Sequence, residues 1–159
     1  MVRKATENDL PRALDIYDSA RRFMRSRGNR VQWVNGYPSE ALLRQDIQRG
    51  ELYVMEESGH IYGVFAFIVG DDPTYAEIEG AWLDDATPYG TLHRLGSDGS
   101  RTSVLAEAVD WALTRMPHLR ADTHEDNAAM RRCLERAGFT CTGVIHIADG
   151  TPRRAYERI

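Results

Sequence analysis

Cysteine is scarce in this chain and is placed for neither of its usual uses. Cys133 and Cys141 are the only two in 159 residues, too few for a disulfide-stapled secreted scaffold and without the paired spacing of a zinc site. The five histidines make no close ligand pattern with them, so no metal is expected. A reducing, cytoplasmic setting suits such a chain. Long apolar runs are missing too: the longest, VFAFIV, is far too short to span a bilayer. The N-terminal stretch MVRKATENDLPRALD is charged from its start and lacks a signal-peptide core. These absences describe a soluble protein with no membrane partner. Positive charge is not in excess either, and a net charge of −4 gives no global reason to expect nucleic acid as a partner. No internal repeat or linker interrupts the sequence, and its length suits one domain spanning residues 1–159.

What is present is a regular succession of elements. A short strand near VRKA precedes a helix from about Asn8 to Arg27, with Leu10, Ala13, Leu14, Tyr17, Ala20 and Met24 on one stripe. The end of that helix, RRFMRSRGNR, carries five arginines. It reads as a solvated helix terminus whose charge suits the dipole, with an anion or acidic-substrate patch as the alternative. Ser39 opens a second helix and Gly50 closes it. ELYVMEE and HIYGVFAFIV then flank a Ser58-Gly59 turn and predict a hairpin. Residues 71 to 90 mix turn residues with aromatics and carboxylates, and TLHRLG is a further strand. The stretch GSDGSRTSVLAEAVDW is a Gly/Ser turn running into a helix that Pro117 ends. LRADTH is a strand, and a fourth helix starts from Asp126 or Asn127 and puts Met130, Cys133, Leu134 and Ala137 on one face before Gly138. With Cys133 on that face, Cys133 and Cys141 are expected to contribute packing. The tail is two strands around Asp149-Gly150, a strong hairpin signal. The expected fold is α/β (of α+β type): one mixed sheet, about four flanking helices, a C-terminal hairpin, and a parallel strand-helix-strand crossover over Leu92 to Thr123.

The turn before the third helix asks whether it holds an anion. Backbone N–H groups converge at a helix N-terminus and the dipole there favours negative charge. No P-loop is present, because no Gly-Lys-Ser/Thr follows the glycines. This element order, together with the turn and the segment DNAAMRRCLERAGF, resembles the GNAT superfamily of acetyl-CoA-dependent N-acetyltransferases across essentially the whole chain. The resemblance implies that a strand like TLHRLGS splays from one like LRADTH and that the pantetheine arm lies in the gap, with its pyrophosphate on the following turn. The family's turn is commonly Arg or Gln, two residues, Gly, one residue, then Gly or Ala. Here those positions hold Ser100, Ser103 and Leu105, and Leu105 sets a bulky side chain where the family allows close backbone approach. Arg101, Thr102, Ser103 and Val104 remain as backbone donors, and Arg101 offers a phosphate partner. Asn127 matches the residue that opens the family's fourth helix and helps hold the cofactor arm, Gly138-Phe139 matches its exit, and Leu134 stands where many members carry a tyrosine acid.

The resemblance implies acetyl-CoA as co-substrate, with a primary amine of a small molecule or peptide as acceptor. Backbone near Leu95, Gly96 and Ser97 would meet the thioester and its arm. Direct transfer needs a neutral amine, a proton acceptor and a donor for the developing oxyanion. His93 is the first candidate base, because it lies on the strand beside the expected thioester and histidine is the side chain suited to proton transfer near neutral pH; a hydrogen-bonded structural histidine is its alternative. Glu79 is the second, sharing a face with Glu77 if TYAEIEG is extended, with a solvated loop acid as the alternative. His124 shares a face of LRADTH with Asp122, as an acid-imidazole pair or as an organiser of the turn before Asn127. The other class of function compatible with the altered turn is a non-catalytic binding module of the same fold. Self-association as a homodimer is expected, because the terminal hairpin offers a sheet edge.

Overall fold

The computed structural model describes residues 1–159. Its eight strands are β1 (Val2–Lys4), β2 (Leu52–Glu57), β3 (His60–Val69), β4 (Glu79–Gly80), β5 (Gly90–Ser97), β6 (Leu119–Thr123), β7 (Thr140–His146) and β8 (Pro152–Arg158). Its four helices are α1 (Leu10–Ser26), α2 (Glu40–Arg49), α3 (Val104–Leu113) and α4 (Ala128–Arg136). The strands form one mixed sheet in the order β1-β2-β3-β5-β6-β8-β7-β4, with β5 and β6 parallel and the other ladders described below antiparallel. By compactness the chain divides into residues Met1–Phe67 with His93–Val104, and residues Ile68–Leu92 with Leu105–Ile159.

In the first unit, local chemistry sets the helix ends. The Asp9 carboxylate accepts the Thr6 N–H at 2.7 Å and two Arg3 donors at 2.8 and 3.0 Å, so the chain enters α1 with its first turn tied to β1. Pro11 sits where no intrahelical partner is needed. Ser39 accepts the Leu42 N–H at 3.1 Å at the start of α2, and Gly50 ends that helix in the left-handed region at φ 69°. Ser58 and Gly59, at φ 50° and 79°, make the tight β2-β3 turn whose twist matches the strands. Leu10, Ala13, Ile16 and Tyr17 of α1 and Leu43 of α2 pack with Leu52, Val54, Val64 and Ala66 in one apolar core. Burial of such a face, rather than helix propensity, is what stabilises α1.

The second unit is built around β6, β8 and β7. Antiparallel β8 runs beside β6 from Leu119↔Arg158 to Thr123↔Arg154, and β7 lies on its other side. Short β4 adds to β7 only at Glu79↔Val144 and Gly80↔Gly143. A Cβ at Gly80 would stand 2.3 Å from the Thr142 carbonyl oxygen, and one at Gly143 2.1 Å from that of Glu79, so only glycine permits this approach. The terminal hairpin forms as expected, but its outer strand is partly covered by β4.

A buried polar network ties the segment before β5 to β6 and β8. Glu157, with no solvent exposure, lies 2.6 Å from His118 Nε2 and 3.2 Å from Arg120 Nε, and accepts the Leu83 N–H. Arg120 is sandwiched between the rings of Trp82 and Tyr89 at 3.9 and 4.0 Å, a geometry that suits a planar guanidinium. Trp82 is thus structural. The expectation that Cys133 and Cys141 pack fails: α4 buries Leu134, and Cys133, one residue away and hence about 100° around the helix, is exposed, as is Cys141 on β7.

Candidate active site

The residues singled out by the sequence around β5 and the following turn lie together in the first unit. β5 is not a regular strand. Arg94 has φ 53°, a left-handed conformation that a residue with a Cβ adopts only when its surroundings hold it there. Tyr17, fully buried on α1, supplies that hold by donating its hydroxyl to the Arg94 carbonyl at 2.7 Å. Burial, with Asp46 and Tyr37 as further contributors, pushes the Tyr17 hydroxyl well above its ordinary pKa, although Arg94 opposes them, so Tyr17 remains a donor. Beyond the kink, a Cβ at Gly96 would stand 3.2 to 3.3 Å from Tyr17 and Ile16 side-chain atoms; α1 lies tight against the strand there.

The turn after β5 is pinned through Asp98. Its backbone N–H donates to the Tyr62 carbonyl at 3.1 Å. One carboxylate oxygen accepts the Ser100 N–H at 2.9 Å and the Ser100 hydroxyl at 2.6 Å. The other lies 2.6 Å from Arg12 Nη2 and 3.0 Å from His60 Nε2. Burial of Asp98 works against its charge, but the Ser100 donors, Arg12 and His60 outweigh it and leave the carboxyl below its usual range. Ser97 Oγ accepts the Gly99 N–H at 3.1 Å. Arg101 stacks on the Tyr62 ring at 4.3 Å and pairs with Glu57. Because Glu57 is 63 % exposed, that pair is weak and exchangeable for another anion.

Ser103 is the residue on which the turn depends for its shape. At φ 63° it occupies the left-handed region that glycine enters without penalty. The backbone conformation that a glycine would favour is therefore present with a serine in it. Val104 and Leu105, which follow, are both only 7 % exposed. Leu105 counts among the buried apolar residues of the chain.

Of the other residues, His93 is half-buried on β5, immediately before the kink. Glu79 is exposed on β4, separated from β6 by β7 and β8 within its own unit. His124 Nδ1 accepts the Asp126 N–H at 3.0 Å, which organises the turn before α4. Asp122 accepts the Tyr75 hydroxyl at 2.6 Å. Asn127 caps α4 by accepting the Met130 N–H at 3.1 Å. Leu134 is fully buried packing. Tyr17, Arg94, Asp98 and Arg12 are the residues that sequence reasoning missed. Only Asp98-Gly99 left a local trace, as a turn dipeptide; the rest depend on partners remote in sequence.

The ladder between parallel β5 and β6 covers only Gly90↔Leu119 and Thr91↔Arg120, after which the two strands no longer pair. The acetyltransferase (GNAT) domain family model matches residues 1–140, and the chain belongs to that family. A GNAT-family acetyltransferase from Streptococcus agalactiae is 32% identical, with a TM-score of 0.88 over 100% of this chain and 94% of that one. A ribosomal-protein-alanine N-acetyltransferase from Brucella melitensis, 22% identical, superposes with a TM-score of 0.61 over 100% and 99% of the two chains. AAC(6')-Ib in complex with ribostamycin and coenzyme A, 20% identical, superposes with a TM-score of 0.64 over 99% and 92%. These last two share the fold. No curated protein of described function gives a significant match.

Proposed function

We propose that this protein is an N-acetyltransferase that moves an acetyl group from acetyl-CoA to a primary amine of a small molecule or peptide by direct transfer. The observation that carries the reading is the turn from Ser97 to Ser103: it is pinned by Asp98, and Ser103 is left-handed where the family commonly has glycine, which supports a phosphate cradle of backbone N–H groups. Acetyl-CoA supplies an activated thioester when bound. The residues suited to hold it are Ser100, Arg101, Thr102, Ser103 and Val104 for the pyrophosphate, with the backbone of Leu95, Gly96 and Ser97 and the α4 cap at Asn127 for the arm. Arg101 exchanges exposed Glu57 for phosphate in this reading, and backbone N–H groups at Leu95 and Gly96 stabilise the developing oxyanion.

His93 takes the amine proton. It is next to the kink, and an imidazole is matched to proton transfer near neutral pH. Glu79 and His124 are the alternative bases, the former acting through water. With Leu134 in the tyrosine position and buried, thiolate protonation falls to another group or to water. Direct transfer calls on no metal, and no cluster of three or more ligating side chains is present. No helix is long and apolar enough to cross a membrane. We place the protein in the cytoplasm, away from membrane and nucleic acid, as a homodimer.

Calorimetric titration with acetyl-CoA tests the reading. A dissociation constant in the micromolar range is expected, whereas no heat and no thermal shift at millimolar ligand would make the protein a binding module of the same fold. His93→Gln should then lower turnover about 100-fold or more with acetyl-CoA affinity nearly unchanged. Loss of turnover in Glu79→Gln with His93→Gln near wild type would transfer the role to the carboxylate.

A further inference from the structure

Two carboxylates lie against the turn after β5, and the protein holds them in different ways. Glu57, the last residue of β2, meets the turn through Arg101 and is largely exposed. Asp98 belongs to the turn itself, and its side chain is only 12 % exposed. One of its oxygens accepts both donors of Ser100, and the other faces Arg12 and His60. A carboxylate so nearly buried is costly unless charge and hydrogen bonds compensate it. A diphosphate brought to the same turn adds like charge and sharpens that need.

The compensation comes from outside the turn. Arg12, on α1, reaches Asp98 across 86 positions at 2.6 Å. Its Nε and Nη2 also donate to the Ile61 carbonyl at 3.0 and 2.9 Å. The carbonyl of the next residue, Tyr62, accepts the Asp98 N–H at 3.1 Å, and the Tyr62 ring carries the Arg101 guanidinium. Helix α1, the start of β3 and the turn are thus tied together at Asp98. His60 is 57 % exposed, so solvent screens its share far more than that of half-buried Arg12.

We propose that Asp98 and Arg12 are positioning residues for the cofactor: Asp98 orders the turn whose N–H groups meet the diphosphate of acetyl-CoA, and Arg12 neutralises that carboxylate so that it does not repel the ligand. Glu57 has the opposite part, as an exposed anion that competes with the diphosphate for Arg101. The inference rests on the acetyl-transfer reading and names the residues that make its cofactor turn competent. Two acids of equal charge beside one turn therefore respond with opposite sign. Charge alone would make neutralisation of either one tighten CoA binding.

Calorimetric titration of the full-length chain with CoA tests this, with Tm measured for each variant. Glu57→Gln should tighten binding about two- to fivefold. Asp98→Ala should weaken it about tenfold or more, and Arg12→Gln by a similar factor. Adding Asp98→Asn to Arg12→Gln removes the uncompensated charge, keeps an oxygen for Ser100, and should recover most of that loss. Such recovery separates charge compensation from a merely structural role of Arg12, because the double variant still lacks the guanidinium and its bonds to Ile61. If Asp98→Ala does not fold, Arg12→Gln and the double variant carry the test. Equal or tighter binding by folded Asp98→Ala, a deficit in Arg12→Gln that the double variant leaves undiminished, or weaker binding by Glu57→Gln overturns the proposal. The two failures are distinguishable: absence of CoA binding by the wild type at millimolar concentration refutes the acetyl-transfer reading and this inference with it, whereas wild-type binding that Asp98→Ala and Arg12→Gln leave unchanged refutes the positioning role alone.

Discussion

Replacing Ser103 with glycine is expected to stabilise the protein, and the sign follows from one backbone angle. At φ 63° a residue with a Cβ is disfavoured by about 1 to 2 kcal/mol. Glycine removes that penalty but adds flexibility to the unfolded chain, which costs about 0.4 to 1 kcal/mol. The balance is a gain of about 0.5 to 1 kcal/mol, or a rise in Tm of roughly 1 to 4 °C for a chain of this length. Ser103→Val is the opposing control, because a β-branched side chain is least tolerated there; its Tm should fall. Differential scanning calorimetry reads both, and titration with acetyl-CoA should show affinity kept or improved in the glycine variant, since φ at this position directs the N–H groups of the turn. A lower Tm for Ser103→Gly, or a wild-type Tm for Ser103→Val, would refute the left-handed conformation and the cradle built on it. Glycine at Leu105 should behave oppositely. It empties a buried leucine site, costing about 2 to 5 kcal/mol, and weakens a helix by about 1 kcal/mol more, without improving cofactor affinity.

Glu157→Gln should destabilise the protein by about 3 kcal/mol or more, because His118 and Arg120 lose a buried carboxylate; denaturant unfolding measures it, and a change under 1 kcal/mol would show the network to be dispensable. Hydrogen bonds from Arg3 hold the Asp9 carboxyl down at about 2. A depressed carboxyl contributes its stability above the unfolded value near 3.9 and loses it as pH falls toward 2. The stability gap between wild type and Asp9→Asn should therefore be full at pH 6 and shrink between about pH 4 and 2, whereas a gap independent of pH would remove Asp9 as the linked group. Light scattering over a wide concentration range should give a dimer mass; a monomer mass throughout refutes the dimer.

Features with local causes are legible in the amino-acid sequence. Ser39 and Gly50 bound α2, Asn127 opens α4, and Ser58-Gly59 turns β2 into β3, each through contacts or dihedral preferences within about four residues. The stripe Leu10, Ala13, Tyr17, Met24 marks the buried face of α1 because helical periodicity is itself a local property. The turn leading into α3 is visible as a Gly/Ser stretch. Its conformation is not, because Ser103 enters the left-handed region against its own preference.

What the tertiary structure alone decided are the pairings between residues far apart in the chain. Asp98 meets Arg12 across 86 positions, Arg94 meets Asp46 across 48, and His118 meets Glu157 across 39. Nothing in a local window distinguishes these charged residues from solvated ones, since each acquires its role only when burial removes water and leaves a particular partner within reach. The same holds for the insertion of β8 between β6 and β7 and for the kink at Arg94, which depends on a tyrosine hydroxyl from α1. Composition and periodicity determined that this chain would be a mixed sheet with helices and a Gly/Ser turn leading into α3. Long-range packing determined which side chains surround that turn, because hydrogen bonds and ion pairs act over a few ångströms of space whatever their separation in sequence.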